Sequence, residues 1–383
     1  MPWKVGTSMS IRREFVALAR NPGANIRDLC RRFGVSAKTG YKWLDRYREF
    51  GVAGLADQSR RPLHSPGRTA DAVESAVLAV REKHSTWGGR KIRRWMNDHP
   101  SGLVIPSMST ITAILRRHGK LDPIESVKHQ PWQHFEAAAP NAMWQIDFKG
   151  HFMMTAGRCH PLTILDDCTR FSTGVYACAN EQRLTVQECL VQSFRQYGLP
   201  EVMLADNGAP WGSAVNRDRL TTLAAWMIRL GIRVSHSRPY HPQTKGKNER
   251  FNRTLNEEVI TQRVFHDLQQ CQSHFDQWRS MYNCERPHEA LNLDVPASRY
   301  LPSAREYPEV LPPIEYDAQD IIRMVQPQGK IYYKNKAFIV GKGLYHQPVA
   351  LRPTTADGVF DVFFCHQKIT TIDVRLDDQT DAE

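Results

Sequence analysis

The apolar residues of this 383-residue chain change their period partway along it. In the first third they recur at three- and four-residue intervals, as in Ile11, Phe15 and Leu18 or Val73, Val77 and Val80, which is the spacing of a helix face. From Trp144 they alternate instead: Trp144, Ile146 and Phe148 are separated by Gln145, Asp147 and Lys149, the period of a strand with one apolar side. A helix pattern does not settle into a sheet, so the chain must divide into an all-α front and a sheet-containing body.

The body continues with strand-like runs at His160–Leu165 and Phe171–Ala179, joined by the turn-forming Asp166-Asp167-Cys168-Thr169. Thr185–Tyr197 then reads as a helix, Glu201–Ala205 as a buried strand, Leu220–Leu230 as a helix and Arg233–His236 as a strand. A β-meander followed by alternating helices and strands is the order of an RNase H-like α/β fold, expected over residues 141–300 with Asp267–Asn283 as a trailing helix. Short β-rich runs at Lys330–Tyr333, Lys336–Val340, Pro348–Arg352 and Gly358–Cys365 predict a small β-barrel over residues 318–376.

The front reads as two helix-turn-helix modules, over residues 1–58 and 70–121, with linkers at 59–69 and 122–140. In the first, Asn25 caps a helix to Phe33, Gly34 ends it, and Ser36 caps a third helix that buries Trp43, Leu44 and Tyr47. That helix would turn Lys38, Thr39, Lys42 and Arg46 outward, toward a major groove and its phosphates. In the second, Arg90, Lys91, Arg93 and Arg94 precede a helix from Thr110 to His118 that carries Arg116 and Arg117. The chain's net charge of +11 sharpens this. Residues 1–130 hold 24 Lys and Arg against 11 Asp and Glu, a charge of +13, so everything after them sums to −2. A basic front on a balanced body points to a polyanion, and with helix-turn-helix spacing that means double-stranded DNA.

Apolar runs such as Leu223–Ile228 are far short of a membrane span, and Met1–Ser10 lacks the apolar stretch of a signal peptide, so a cytoplasmic, nucleoid-associated protein is expected. Eight scattered cysteines without a C-x-x-C pair argue for reduced thiols.

Three acids in the body sit where phosphodiester chemistry needs them. Asp147 lies mid-strand, opposite the apolar face; Asp206 follows the run Val202-Met-Leu-Ala at a strand's carboxyl end; Glu249 opens a helix whose packing face is Phe251, Leu255 and Val259. Glu249, Asn252, Arg253 and Asn256 share another face of that helix. Three carboxylates are hard oxygen ligands of the kind that hold a pair of Mg²⁺ ions. The neighbouring Asp166 and Asp167 read as turn acids with a structural role, and Trp211 as either a base-stacking or a core residue.

The strings WQIDFKGHF, LTILDDCTRF, LADNGAPW and SRPYHPQTKGKNERFNRTL resemble the integrase catalytic core of DDE-type bacterial insertion-sequence transposases, a group similar to retroviral integrases. CRRFGVSAKTGYKWLDRY, STWGGRKIRRWM and WRSMYNCERPHEALN resemble the same group. The resemblance implies a metal-binding catalytic triad of Asp147, Asp206 and Glu249, with Mg²⁺ as cofactor and Mn²⁺ able to substitute. It also implies a transposase that binds the terminal inverted repeats of its own element and carries out DNA cleavage and strand transfer into target DNA as a homo-oligomer, at least a dimer. Lys245, Lys247, Arg250 and Arg253 around Glu249 are further expected DNA contacts. Where many members carry Lys or Arg seven residues after the glutamate, this chain has Asn256, which passes the basic role to Arg253 or Arg250. The 42 residues between Asp206 and Glu249 exceed the usual integrase spacing, and the extra length is expected around Ser213–Arg219. A DNA-binding regulator with an inert core and a plain RNase H-like nuclease are the alternatives. The complete triad argues against the first and the two DNA-reading modules against the second.

Overall fold

The computed structural model describes residues 8–57, 69–121, 137–212, 220–236 and 246–376. The chain forms two compact units that meet at residues 68 and 69.

The first unit is helical: α1 (Ser8–Ala19), α2 (Ile26–Arg32) and α3 (Ala37–Phe50). The caps are those the residues predict. The Asn25 side chain accepts from the backbone of Arg27 and Asp28, and Ser36 Oγ accepts from Thr39 N, which satisfies donors that would otherwise be orphaned. Phe15, Val16, Leu29, Cys30, Trp43, Leu44 and Leu55 form its core. Gly40 is the residue that lets α3 approach: a Cβ there would lie 2.3 Å from Cys30 Sγ and 2.9 Å from the Phe15 ring.

The second unit begins with α4 (Asp71–Lys83), α5 (Gly89–Asp98) and α6 (Met108–Arg117), packed around Val77, Trp87, Ile92, Ile111 and Leu115. Ser107 caps α6 through Thr110 N. The sheet follows. Strands β1 (Met143–Phe148), β2 (Phe152–Met154), β3 (Gly157–Asp166) and β4 (Ser172–Cys178) pair antiparallel through β3, and β5 (Val202–Ala205) and β6 (Arg233–His236) continue from β1 in parallel. This is the RNase H-like arrangement that the periodicity predicts, with β2 as an addition too short to leave a pattern.

Both faces of the sheet are covered. On one side α7 (Arg183–Tyr197) and α8 (Thr222–Arg229) bury Leu190, Phe194, Leu223 and Ile228 against Trp144, Ile146 and Met203. On the other, α9 (Gly246–Glu258) and α10 (Leu268–Cys284) bury Phe251, Leu255, Phe275 and Trp278 against Leu165 and Val175. The alternation along β1 therefore sends Trp144 and Ile146 to the first core and turns Asp147 toward the α9 side.

The expected C-terminal barrel is not formed. Strands β7 (Ile321–Met324), β10 (Pro348–Pro353), β11 (Val359–Phe364) and β12 (Gln367–Asp373) make an open antiparallel sheet in the order β12-β11-β10-β7, and β8 (Lys330–Tyr333) pairs only with β9 (Lys336–Ile339) as a separate hairpin. A barrel closes to cover its own apolar interior. Here Val349, Leu351, Val362 and Phe364 join the same buried cluster as α7 and α8, so the helices on that face of the larger sheet supply the cover. The two sheets also meet through one side chain: Gln367 accepts from Val234 N at 3.0 Å and donates to Val234 O at 3.1 Å, pairing with β6, the outer strand of the larger sheet.

Candidate active site

Parallel pairing sets Met143 beside Val202, Trp144 beside Met203 and Gln145 beside Leu204. Carried two residues further, the same register brings Asp147 beside Asp206. Registered partners in a sheet point to one side. Met203 and Ala205 share the core of Trp144 and Ile146, so Asp206, like Asp147, belongs to the opposite face. Continued past the paired residues, that register puts both aspartates on one side at the carboxyl end of β5, the end at which α/β sheets hold ligands.

Helix α9 closes this site. Asn252 Nδ2 donates to Asp147 Oδ2 at 3.2 Å, while Thr163, the β3 partner of Asp147, places its hydroxyl 3.0 Å from Asn252 Oδ1 and 3.1 Å from Asp147 O. Residues three apart share a helix face. The Asn252 bond therefore puts Glu249, exposed in the first turn of α9, on the side that faces the strand ends. Asp206 is fixed at its turn: Gly208 N donates to its Oδ1 at 3.1 Å, and His236 Nδ1 donates to its carbonyl at 2.8 Å. Among the described residues, no three His, Cys, Asp or Glu side chains are gathered closely enough to hold a metal ion. The fit to a divalent cation rests on donor chemistry: two juxtaposed aspartates and a glutamate on the facing helix are all hard oxygen ligands.

Lys247, one of the expected DNA contacts, is already engaged inside the protein. It lies buried, with Nζ 2.6 Å from Asp167 Oδ2 and 3.0 Å from Asp167 O. Asp167 also accepts from Gln145 Nε2 and Ala137 N, both at 2.7 Å. Asp166 accepts from Asn141 N, Thr169 N and Thr169 Oγ1, and burial raises its pKa above the usual carboxylate range. The acid pair is structural, as the turn reading expects, and it anchors the start of α9. The other end of α9 is held by the WRSMYNCERPHEALN segment. Glu258 accepts from Trp278 Nε1 at 2.8 Å, from Arg286 and from Thr86; Tyr282 packs edge-on against Phe251; and Asn283 bonds both backbone atoms of Ser172. Sequence reasoning did not find this clasp, because a carboxylate bound by residues up to 172 positions away leaves no local signal.

The remaining expected DNA contacts divide by what already holds them. On α3, Lys38 and Lys42 are exposed, Thr39 Oγ1 lies 2.9 Å from Ser36 Oγ, and Arg46 donates to Ala56 O while stacking on Trp43. In the second module Arg90, Arg93 and Arg116 are exposed. Arg94 is instead tied to Asp98 and Asp294, and Arg117 to Glu74 at 2.6 Å, so their charges are spent on joining elements. Arg250 and Arg253 are exposed on α9, the latter 3.8 Å from Glu257. Lys245 and the Ser213–Arg219 stretch lie outside the described residues. Trp211 is a core residue, 1% exposed and packed near Phe148. No helix among the described residues is long and apolar enough to cross a membrane.

Family models match in chain order: a helix-turn-helix domain over residues 11–62, a homeodomain-like domain over 39–115, an integrase core domain over 137–242 and again over 230–296, and an IS481 family transposase C-terminal domain over 320–380. The chain is similar to the insertion element IS407 uncharacterized 31.7 kDa protein of Burkholderia multivorans, at 27% identity over 42% of this chain and 55% of that protein. It is also similar to the insertion element IS476 uncharacterized 39.2 kDa protein of Xanthomonas euvesicatoria, at 24% identity over 66% of this chain and 72% of that protein. The alignment thus spans little more than half the length of the first of these relatives. Among solved structures, the HTLV-2 integrase catalytic core domain in complex with magnesium aligns at 15% identity and a TM-score of 0.34, covering 43% of this chain and 100% of that one. Helix-turn-helix, integrase core and IS481 family transposase C-terminal domain models thus match successive parts of a single sequence, and the chain is similar to insertion-element proteins and retroviral polyproteins.

Proposed function

We propose that this protein is a DDE-type transposase, which binds the inverted repeats of its own element and catalyses Mg²⁺-dependent cleavage and strand transfer through Asp147, Asp206 and Glu249. The observation that carries this reading is the β1–β5 register from Met143–Val202 to Gln145–Leu204, whose continuation supports Asp147 and Asp206 on one side of the sheet, the side on which Asn252 joins the helix of Glu249 to Asp147.

The protein's own groups divide the work. Asp147, Asp206 and Glu249 are the residues that would hold the cation. Mg²⁺ bound there, or Mn²⁺ in its place, supplies Lewis-acid activation of an attacking oxygen and neutralises charge on the leaving oxygen of an in-line displacement. Asn252 orients the Asp147 carboxylate, the His236 bond steadies the turn of Asp206, and the Lys247–Asp167 pair fixes the origin of α9. The attacking oxygen is that of water in the cleavage step and that of the freed 3′-hydroxyl in the transfer step, with no covalent link to the protein. The helix-turn-helix modules deliver double-stranded DNA, element ends and target alike. Concerted joining of two ends calls for a homo-oligomer, at least a dimer, in a cytoplasmic, nucleoid-associated setting.

The test is full-length protein with labelled element-end duplex, target DNA and Mg²⁺. Cleavage and strand transfer are expected, and Asp147→Asn, Asp206→Asn or Glu249→Gln should each lower them roughly a hundredfold or more, the rate equivalent of several kcal/mol. Absence of products, or full activity in the variants, overturns the reading.

A further inference from the structure

Between the second helical module and α9 lies an open cleft of about 510 Å³, into which three helices send cations. Arg90 and Lys91 come from the first turn of α5, Arg116 from the last turn of α6, and Arg250 from α9, next in sequence to Glu249. Glu289 is the carboxylate of the lining, and it stands 4.0 Å from Arg90, a weak pairing. Among the described residues, the side chains of Lys91, Arg116 and Arg250 make no hydrogen bond or ion pair. Glu289 and Glu258 offset their charge only from a distance.

Like charges held together in a partly desolvated space are costly unless an anion joins them. Lys91 registers that cost: burial first, then the nearby Arg286 and Arg250, push its ammonium down to about 7 against the opposing pull of Glu258 and Glu289. The rest of the wall suits a close approach, with Gly88, Gly89 and Ser109 leaving little side-chain bulk. Thr112, on the cleft side of α6, already donates its hydroxyl hydrogen to Met108 O at 2.8 Å, which leaves it no hydrogen to offer a base. Cations spread over three helices along an open cleft match a line of phosphates better than one small anion, which a single pair would satisfy.

We propose that this cleft is a track for the sugar–phosphate backbone of double-stranded DNA, so that α5 and α6 clamp the duplex against α9 beside Glu249. The second module then acts chiefly as a sequence-independent clamp that feeds the active site. This deepens the transposase reading and rests on it for the identity of the polyanion.

The experiment uses the full chain with an element-end duplex and a scrambled duplex of equal length. Arg250→Gln, at an exposed position, and Lys91→Gln should each flatten the dependence of log affinity on log salt by about 0.9 for both duplexes, the slope of one B-DNA phosphate contact. Between 50 and 200 mM salt the affinity lost would then be smaller by roughly 3.5-fold per residue. Unchanged slopes in both variants overturn the proposal. A second readout is acylation of Lys91 by an amine reagent near neutral pH: it should outpace the exposed lysines and be blocked by duplex DNA. Equal protection by inorganic phosphate at the same phosphate concentration would make the cleft a free-anion site and overturn the DNA track. Wild-type protein that binds and is protected but never cleaves sinks the recombinase reading and leaves the cleft standing; cleavage with unaltered slopes does the reverse.

Discussion

Asn252 donates its amide hydrogen to the Asp147 carboxylate across 3.2 Å, joining the glutamate-bearing helix to the central strand. A hydrogen bond to a charged group contributes roughly 1.5 to 3 kcal/mol. Asn252→Ala should therefore slow single-turnover DNA cleavage by roughly tenfold or more with the fold intact. Asn252→Asp should be slower still, because it opposes one carboxylate to another at the same distance. If Asn252→Ala cleaves at the wild-type rate, the amide has no positioning role.

The buried Lys247–Asp167 pair makes a different demand. Leaving either charge alone in the interior costs on the order of 3 to 5 kcal/mol, whereas removing both leaves no orphan. Lys247→Met and Asp167→Asn should each lower the denaturation midpoint strongly, with the double variant clearly less affected than the sum of the two. Simple additivity in a double-mutant cycle would show that the two residues act independently. A DNA-contact role for Lys247 predicts instead a loss of binding without a loss of stability.

How much of this was legible depended on how local the determinants are. The strand of Asp147, the short strand before Asp206 and the helix of Glu249 each announce themselves within a few residues, through alternation, an apolar run and helical spacing. Lys247 is the opposite case. In the string Lys245-Gly-Lys-Asn-Glu-Arg it looks like one more basic contact, and only the fold brings it to an aspartate 80 positions away. Four of the six C-terminal strands were visible too, but β7, β12 and the open form of the sheet were not. Whether a sheet curls on itself depends on what else can cover its apolar face, and that cover comes from α7 and α8, far away in sequence. Strand β2, with three residues, is too short for any period to show.

Helices α5 and α6 meet at Gly89. A Cβ there would lie 2.5 Å from Thr112 Oγ1 and 2.7 Å from the carbonyl of Met108, and backbone cannot yield as a side chain does. Gly89→Ala should destabilise the second unit by about 1 to 3 kcal/mol despite the better helix propensity of alanine. Calorimetry would check this, and a variant as stable as wild type would mean that the two helices separate freely.

His84, buried and stacked on Trp87 at 3.7 Å, has its pKa lowered from 6.5 to about 4, chiefly by burial and then by Lys83 and Arg286, against the opposing pull of Glu285 and Glu258. The unfolded chain therefore takes up a proton on His84 in a pH range where the folded chain does not. Stability is present above pH ~6.5 and falls as the pH drops toward ~4, by on the order of 3 kcal/mol. His84→Phe should flatten the fall in thermal midpoint between pH 6.5 and 4, leaving a residual slope from His288, which burial also lowers. Identical slopes in wild type and variant would exclude His84 as a source.

The register between β1 and β5 also bears on which insertions and deletions such a chain can survive. Losing or gaining one residue within Val202–Ala205 would turn Asp206 to the opposite face of the sheet and hide it in the core of Trp144 and Ile146, however conservative the remaining sequence. The connection from Asp206 to α8 carries no such parity, because the aspartate takes its place from the strand before it. Natural length variation should accordingly collect after Asp206 and be absent before it. An engineer seeking a permissive site for a tag or a new loop should look downstream of that aspartate.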